Sequence, residues 1–217
     1  MPRRPMDFYE TSKEAVDALV EHYLKGSFKN EVQILEPCCG DGAIVKALGE
    51  LGYTHVWDND VDVCRIASSH VDARDHKFDY PTPGAAKIHL AVTNPPFNQA
   101  FDILKNLHSQ VDAIALLLRL TFLEPTKDRG PWLAKNPPNK LIVLPRYSFT
   151  GDGKTDSVTC AWMIWDKHFP DRDGVIIVPK KEKTNVAATQ GVAGGSDREV
   201  PGDPAIDPRL GVPGFGV

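Results

Sequence analysis

The 217-residue chain contains no apolar run approaching the roughly 20 residues a membrane-spanning helix needs. Its amino terminus, MPRRPMDFYE, is basic with no apolar stretch behind it, so no secretory signal is expected. Cysteine is scarce: Cys38, Cys39, Cys64 and Cys160 show no metal-ligand spacing, and an adjacent pair is poor geometry for a bridge. These thiols are expected to be reduced, the protein cytoplasmic and free of bound metal. An excess of positive charge is also missing. The formal net charge of -4 argues against a general nucleic-acid coat.

One segment departs from that balance. Residues 119–154 hold seven Lys and Arg against three Asp and Glu, whereas residues 1–118 hold 11 against 17. Such a patch reads either as a phosphate-facing surface or as a solvated loop.

Periodicity organises the rest. SKEAVDALVEHYL (12–24) places apolar residues at helical spacing behind Ser12, a capping residue. AIVKALGELG (43–52), DVCRIASSH and AFDILKNLHSQ (100–110) also read as helices. EVQILEP (31–37), THVWDND (54–60), IHLAV (88–92), AIALLLRLTF (113–122), KLIVLP (140–145) and VTCAWMIWD (158–166) read as strands, with HKFDYP a weaker one. Strands alternating with helices predict a Rossmann-like, seven-stranded, mostly parallel sheet with helices on both faces. KLIVLP and VTCAWMIWD lack an intervening helix and predict an antiparallel edge hairpin. Residues 191–217 hold seven Gly and four Pro among few large apolar groups. The domain is therefore read as 1–179, with 180–217 a tail lacking the composition for a packed core.

In an open parallel sheet, ligands sit beyond the carboxyl ends of the strands. The first such end reads LEPCCGDGAIVKAL. Gly40 and Gly42 permit a tight turn, and the helix behind offers unpaired N–H groups. The third glycine of a dinucleotide fingerprint is missing, and Glu36 would repel a pyrophosphate, so a cofactor without phosphates is favoured. Asp58, 18 residues after Gly40 and ending the second strand, is placed to accept ribose hydroxyls, with Asp60 as the fallback. GDGKT (151–155) is no phosphate loop, because Ser148 stands where that motif needs its first glycine.

TNPPF (93–97) closes another strand with two prolines, which cannot continue a ladder and whose φ is fixed. With LEPCCGDG and Asp58 before it, and FYETSKEAVDALVEHY at the start, the chain resembles class I S-adenosylmethionine-dependent methyltransferases of the amino-methylating NPP[FY] branch. LLLRLTFLE and RYSFTGDGKTDSVTCAWMIWDK are similar to small phage and prophage adenine-N6 DNA methyltransferases, which would place the protein in the host-cell cytoplasm. The resemblance covers roughly residues 8–167.

This resemblance implies S-adenosyl-L-methionine as cofactor and adenine in nucleic acid as substrate, DNA ahead of RNA. It implies that the Asn94 side-chain oxygen and the Pro95 carbonyl accept the two N–H bonds of the target amine, held by Pro95 and Pro96, while Phe97 stacks on the base. For the cofactor it implies Thr11 in the amino-terminal motif, Glu36 and Pro37 near the methionine end, Gly40 and Gly42, and Asp58. It also implies Asp79 at the adenine amine, with Asp75 its rival and Tyr80 or Phe78 against the ring. Phe149 is either a second aromatic against the base or a core residue. Arg119, Arg146 and Lys154 either contact phosphates or are ordinary surface charges. The segment 121–140, basic and holding Trp132, reads as the only spare loop, so sequence preference is either low, conferred by this loop or supplied by a partner. Protein glutamine N5-methylation and a cofactor-binding protein without catalysis are the alternatives.

Overall fold

Alternating helical and extended periods build a layered α/β structure in the computed structural model, which describes residues 10–78, 87–146, 158–168 and 174–178. The strands are β1 (Ile34–Glu36), β2 (Val56–Asp58), β3 (Leu90–Thr93), β4 (Ala113–Arg119), β5 (Lys140–Val143), β6 (Cys160–Asp166) and β7 (Gly174–Ile177). The helices are α1 (Lys13–Leu19), α2 (Lys25–Ser27), α3 (Ala43–Glu50), α4 (Ala100–Gln110) and α5 (Arg129–Lys135). A π-helical turn, Val20–Leu24, joins α1 to α2.

The sheet order is β2-β1-β3-β4-β6-β5-β7. β6 runs antiparallel to β4 and β5, and the other pairings are parallel. β1 is flanked by β2 on one side and β3 on the other, so chain direction across the sheet reverses there. That reversal opens a crevice at the carboxyl ends of β1 and β3. The expected hairpin of β5 and β6 is present, with β7 pairing beyond β5.

Alternation along β4 divides the core. Ala113, Ala115 and Leu117 face α1 and α3, and Ile114, Leu116 and Leu118 face α4 and Leu133 of α5. Each fully buried leucine contributes roughly 1.5–3 kcal/mol on such a face. Trp162, fully buried on β6, donates from Nε1 to the Ala15 carbonyl (2.7 Å) and ties α1 to the sheet. Tyr23, placed by the π-turn, donates to Asp166 at 2.5 Å. Ser12 caps α1, accepting from the Ala15 N–H at 3.3 Å.

Three expectations for local structure change. DVCRIASSH forms no helix, because carboxylates intercept its backbone donors. Asp60 accepts the Asp62 N–H, Asp62 the Cys64 N–H, and Asp58 both the N–H and the hydroxyl of Ser68. Its apolar side chains are left outside, with Val63 75% and Ile66 96% exposed. His76–Phe78 forms no strand, and β7 supplies the seventh instead.

The presumed loop 121–140 carries a 3-10 turn, Leu120–Leu123, and α5, whose Pro131 lies in the first turn, where no N–H is needed. Trp132 packs edge-on against Phe101 and His108 of α4. Arg129 turns inward, donating to the Thr121 and Glu124 carbonyls and lying over Phe122. Lys135 lies with His108 and Asp112 near the amino-terminal end of β4, the edge opposite the crevice. The segment is therefore partly folded framework, with Lys127 and Lys135 left exposed on it. Among the described residues no helix is long and apolar enough to cross a membrane.

Candidate functional site

A cleft of about 210 Å³ opens at the carboxyl ends of β1 and β3. Glu36, Pro37, Cys38, Cys39 and Asp41 form its floor and one wall, and Asn94 and Pro96 form the facing wall. The turn between β1 and α3 is possible because Gly40 and Gly42 adopt φ of 55° and 76°, the left-handed region where a side chain is strained.

Glu36 is 1% exposed, and its Oε2 has no hydrogen-bond partner among the described residues. Burial, then the charges of Asp58 and Asp60, push its carboxyl well above the ordinary range, with a Val45 backbone N–H acting the other way. Burial likewise raises the Cys38 thiol and pushes Cys39 up to about 12. Both shifts favour the neutral thiol over the thiolate. Asp72, on the rim, is held down to about 2 by the Arg74 guanidinium.

The acids after β2 take distinct places. Asp58 is in register with Glu36, yet its carboxylate turns to Ser68 and does not line the cleft. Asp60 does line it, and accepts the Gly40 N–H at 2.8 Å. Between them Asn59 is fully buried and uses every polar position of its amide. It donates to Pro37 and Val71 carbonyls and accepts from Ser69 and the Val71 N–H, all within 2.8–3.0 Å. Its backbone meanwhile binds Glu36 and Cys39. Asn59 thus welds the glycine turn to the segment behind β2. Sequence reasoning passed over it, although an asparagine between two acids at a strand end was the available signal.

Across the cleft, the Pro96 carbonyl accepts the Gln99 N–H at 2.9 Å and closes the turn into α4. Asn94 is half-buried, and its Nδ2 donates to Thr11 Oγ1 at 3.1 Å. Thr11, 7% exposed, lines the cleft just before the Ser12 cap. Pro95 is buried. Phe97 packs partly into the α4-side core, and the Arg119 guanidinium lies 4.5 Å from its ring centroid.

Thr11, Glu36, Pro37, Asn94 and Pro96 therefore share one cleft, with Asp60 in place of Asp58. Arg146 is exposed beyond the carboxyl end of β5, at the same edge of the sheet. Asp75 is an exposed residue beside a surface depression with Asp102 and Lys105, away from the cleft lining. Phe78 is partly buried, packing against the α4-side core and against His76. Asp79, Tyr80, Phe149 and Lys154 lie outside the described residues.

Solved structures share this architecture. The methyltransferase subunit of the type I restriction-modification system from Streptococcus thermophilus matches over 78% of this chain, with a TM-score of 0.60 and 13% identity. A candidate RNA methyltransferase from Pyrococcus horikoshii matches over 77%, with a TM-score of 0.56 and 14% identity. A candidate class I S-adenosylmethionine-dependent methyltransferase from Listeria monocytogenes matches over 80%, with a TM-score of 0.53 and 13% identity. The likeness is one of fold. This chain spans 47% of the Streptococcus subunit, 90% of the Pyrococcus protein and 66% of the Listeria protein. No protein-family model matches the chain. No curated protein sequence matches it.

Proposed function

We propose that residues 1–179 form an S-adenosylmethionine-dependent methyltransferase that methylates the exocyclic N6 amine of adenine in nucleic acid, DNA ahead of RNA. The observation that carries this reading is a single cleft with acids on one wall and the Asn94-Pro95-Pro96 turn on the other. The residues present fit the cofactor. Its ammonium and sulfonium are cations, and among the described residues a buried carboxyl oxygen of Glu36 lacks a partner where a cation would supply one. Glu36 and Pro37 would hold the methionine end, Asp60 a ribose hydroxyl, and the neutral thiols of Cys38 and Cys39 pack beside it. When bound, the cofactor supplies an electrophilic methyl group.

The chain's own residues prepare the acceptor. An amine conjugated to a purine has a delocalised lone pair and is a poor nucleophile. The Asn94 carbonyl oxygen and the Pro95 carbonyl would accept its two N–H bonds, drawing the nitrogen towards tetrahedral geometry and directing its lone pair into the cleft. The Asn94 Nδ2 donates to the Thr11 hydroxyl, which helps hold the amide in the cleft wall with its oxygen available to the acceptor amine. The prolines and the Gln99 contact hold these acceptors before substrate arrives, so little reorganisation accompanies reaction. Phe97 supplies an aromatic face for a base drawn out of its stack.

Incubation with methyl-labelled S-adenosylmethionine and DNA, RNA or protein, followed by hydrolysis and mass spectrometry, tests the assignment. N6-methyladenine in a nucleic acid is expected. Label on glutamine would transfer the same chemistry to protein, and cofactor binding without transfer to any acceptor would refute catalysis.

A further inference from the structure

The contact between Arg119 and Phe97 is the least expected feature of this site. Arg119 is the last residue of β4, in register with Cys160 of β6, and Leu120 N–H binds the Thr159 carbonyl, so its backbone is fixed. Its guanidinium nevertheless reaches the turn after β3 and covers a face of the ring to which the mechanism assigns a base. Among the described residues no carboxylate forms a salt bridge with it. A cation–π contact of this kind is worth roughly two- to thirtyfold in an equilibrium constant. A guanidinium is flat and stacks on aromatic rings much as a base does, and it also pairs with phosphate through two parallel hydrogen bonds.

We propose that Arg119 is a selectivity residue that occupies the Phe97 ring face in the free protein and yields it to a flat group joined to phosphate. The proposal rests on the nucleic-acid reading above and deepens it. A lone base or an amide must displace the guanidinium and offers it nothing in return. A nucleotide within a strand exchanges the same stacking contact and presents a phosphate that the displaced guanidinium can grip. The residue thereby penalises acceptors lacking a phosphodiester and favours those with one.

The test uses the full chain and single-stranded oligonucleotides carrying one adenine, with phosphodiester or neutral methylphosphonate linkages on both sides of it. Binding is measured against salt for the wild type, Arg119→Leu and Arg119→Lys, with thermal melts to confirm folding. The wild type should bind the phosphodiester strand about tenfold or more better than the neutral one. Arg119→Leu should bind the two about equally, and should bind the neutral strand several-fold more tightly than the wild type does, because no guanidinium has to be displaced from the Phe97 ring. Its log–log salt slope should be shallower by about 0.7, the value of one phosphate on a single strand. Arg119→Lys, charged but not planar, should keep the phosphate preference.

Equal linkage preference in wild type and Arg119→Leu, with nucleic-acid methylation intact, overturns the role of Arg119 alone. Weaker binding of the neutral strand by Arg119→Leu also overturns it, since the ring face was then not blocked. Failure of every protein to bind or methylate any strand overturns the nucleic-acid reading itself.

Discussion

Glu36→Gln separates two consequences of one buried carboxyl. The folded protein holds this group above its ordinary carboxylate value, chiefly by burial and then by the charges of Asp58 and Asp60. A folded value above the unfolded one means the native state binds the proton more tightly. Stability is then greatest below the ordinary carboxylate range and declines as pH rises towards the raised folded value. Glutamine cannot ionise, so the free variant should be more stable than the wild type at neutral pH. The scale is that of an unmet buried polar group, about 1–3 kcal/mol, or roughly 2–12 °C in a chain of this size. At acidic pH, where Glu36 is protonated, the difference should shrink.

Cofactor affinity should move the other way. An ammonium facing Glu36 gains a charge-assisted hydrogen bond worth about 1.5–3 kcal/mol, so its loss weakens binding roughly 10- to 150-fold. In the wild type, binding should release a proton and strengthen as pH rises towards the raised value, and in the variant this dependence should vanish. Titration calorimetry in two buffers of different ionisation enthalpy, with melts across pH, reads both effects. A variant that is destabilised at neutral pH yet binds the cofactor as before would refute the reasoning.

Further outcomes follow from the other contacts. Asp60→Asn should weaken cofactor binding by about 1.5–3 kcal/mol while Asp58→Asn mainly lowers the melting temperature; the reverse pattern in paired titrations and melts would return the ribose to Asp58. Thr11→Val removes one partner of Asn94 Nδ2 and should lower kcat with a smaller change in cofactor Kd, whereas Thr11→Ser should recover most of the rate; loss of cofactor binding alone would make Thr11 a cofactor residue only. Tyr23→Phe strips a hydrogen bond from the buried Asp166 carboxylate and should cost about 1.5–3 kcal/mol of stability without altering cofactor affinity, as denaturant unfolding would show.

Much of this architecture was legible because the hydrophobic periods were strong. β4 and β6 bury nearly every residue, and α4 repeats apolar positions at 100, 103, 104 and 107. The glycine turn and the prolines after β3 were legible because each demands a special backbone. The segment after β2 was misread since Val61, Val63 and Ile66 imitate a helix face. Side-chain capture of backbone donors by Asp58, Asp60 and Asp62 leaves no trace in apolar spacing. α5 was missed because Gly130 and Pro131 punctuate sequence as loops do, although proline is tolerated in a first helical turn. β7 is short and partly exposed, so its period was faint. In the site, position along β2 favoured Asp58, but which acid faces the cleft depends on Ser68 and Gly40, partners distant in sequence. The packing of Trp132 against α4 and the inward turn of Arg129 are likewise tertiary facts.

The central claim, that Asn94 prepares an acceptor amine rather than holding the cofactor, is tested most directly by Asn94→Ala measured twice on one preparation. Calorimetry should give a cofactor Kd within a few-fold of the wild type, and labelled methyl incorporated into DNA should fall by about 10²–10³, the scale seen when a preorganised polar contact to a reacting centre is removed. Methyl transfer persisting near the wild-type rate, or cofactor binding lost in step with transfer, would contradict it.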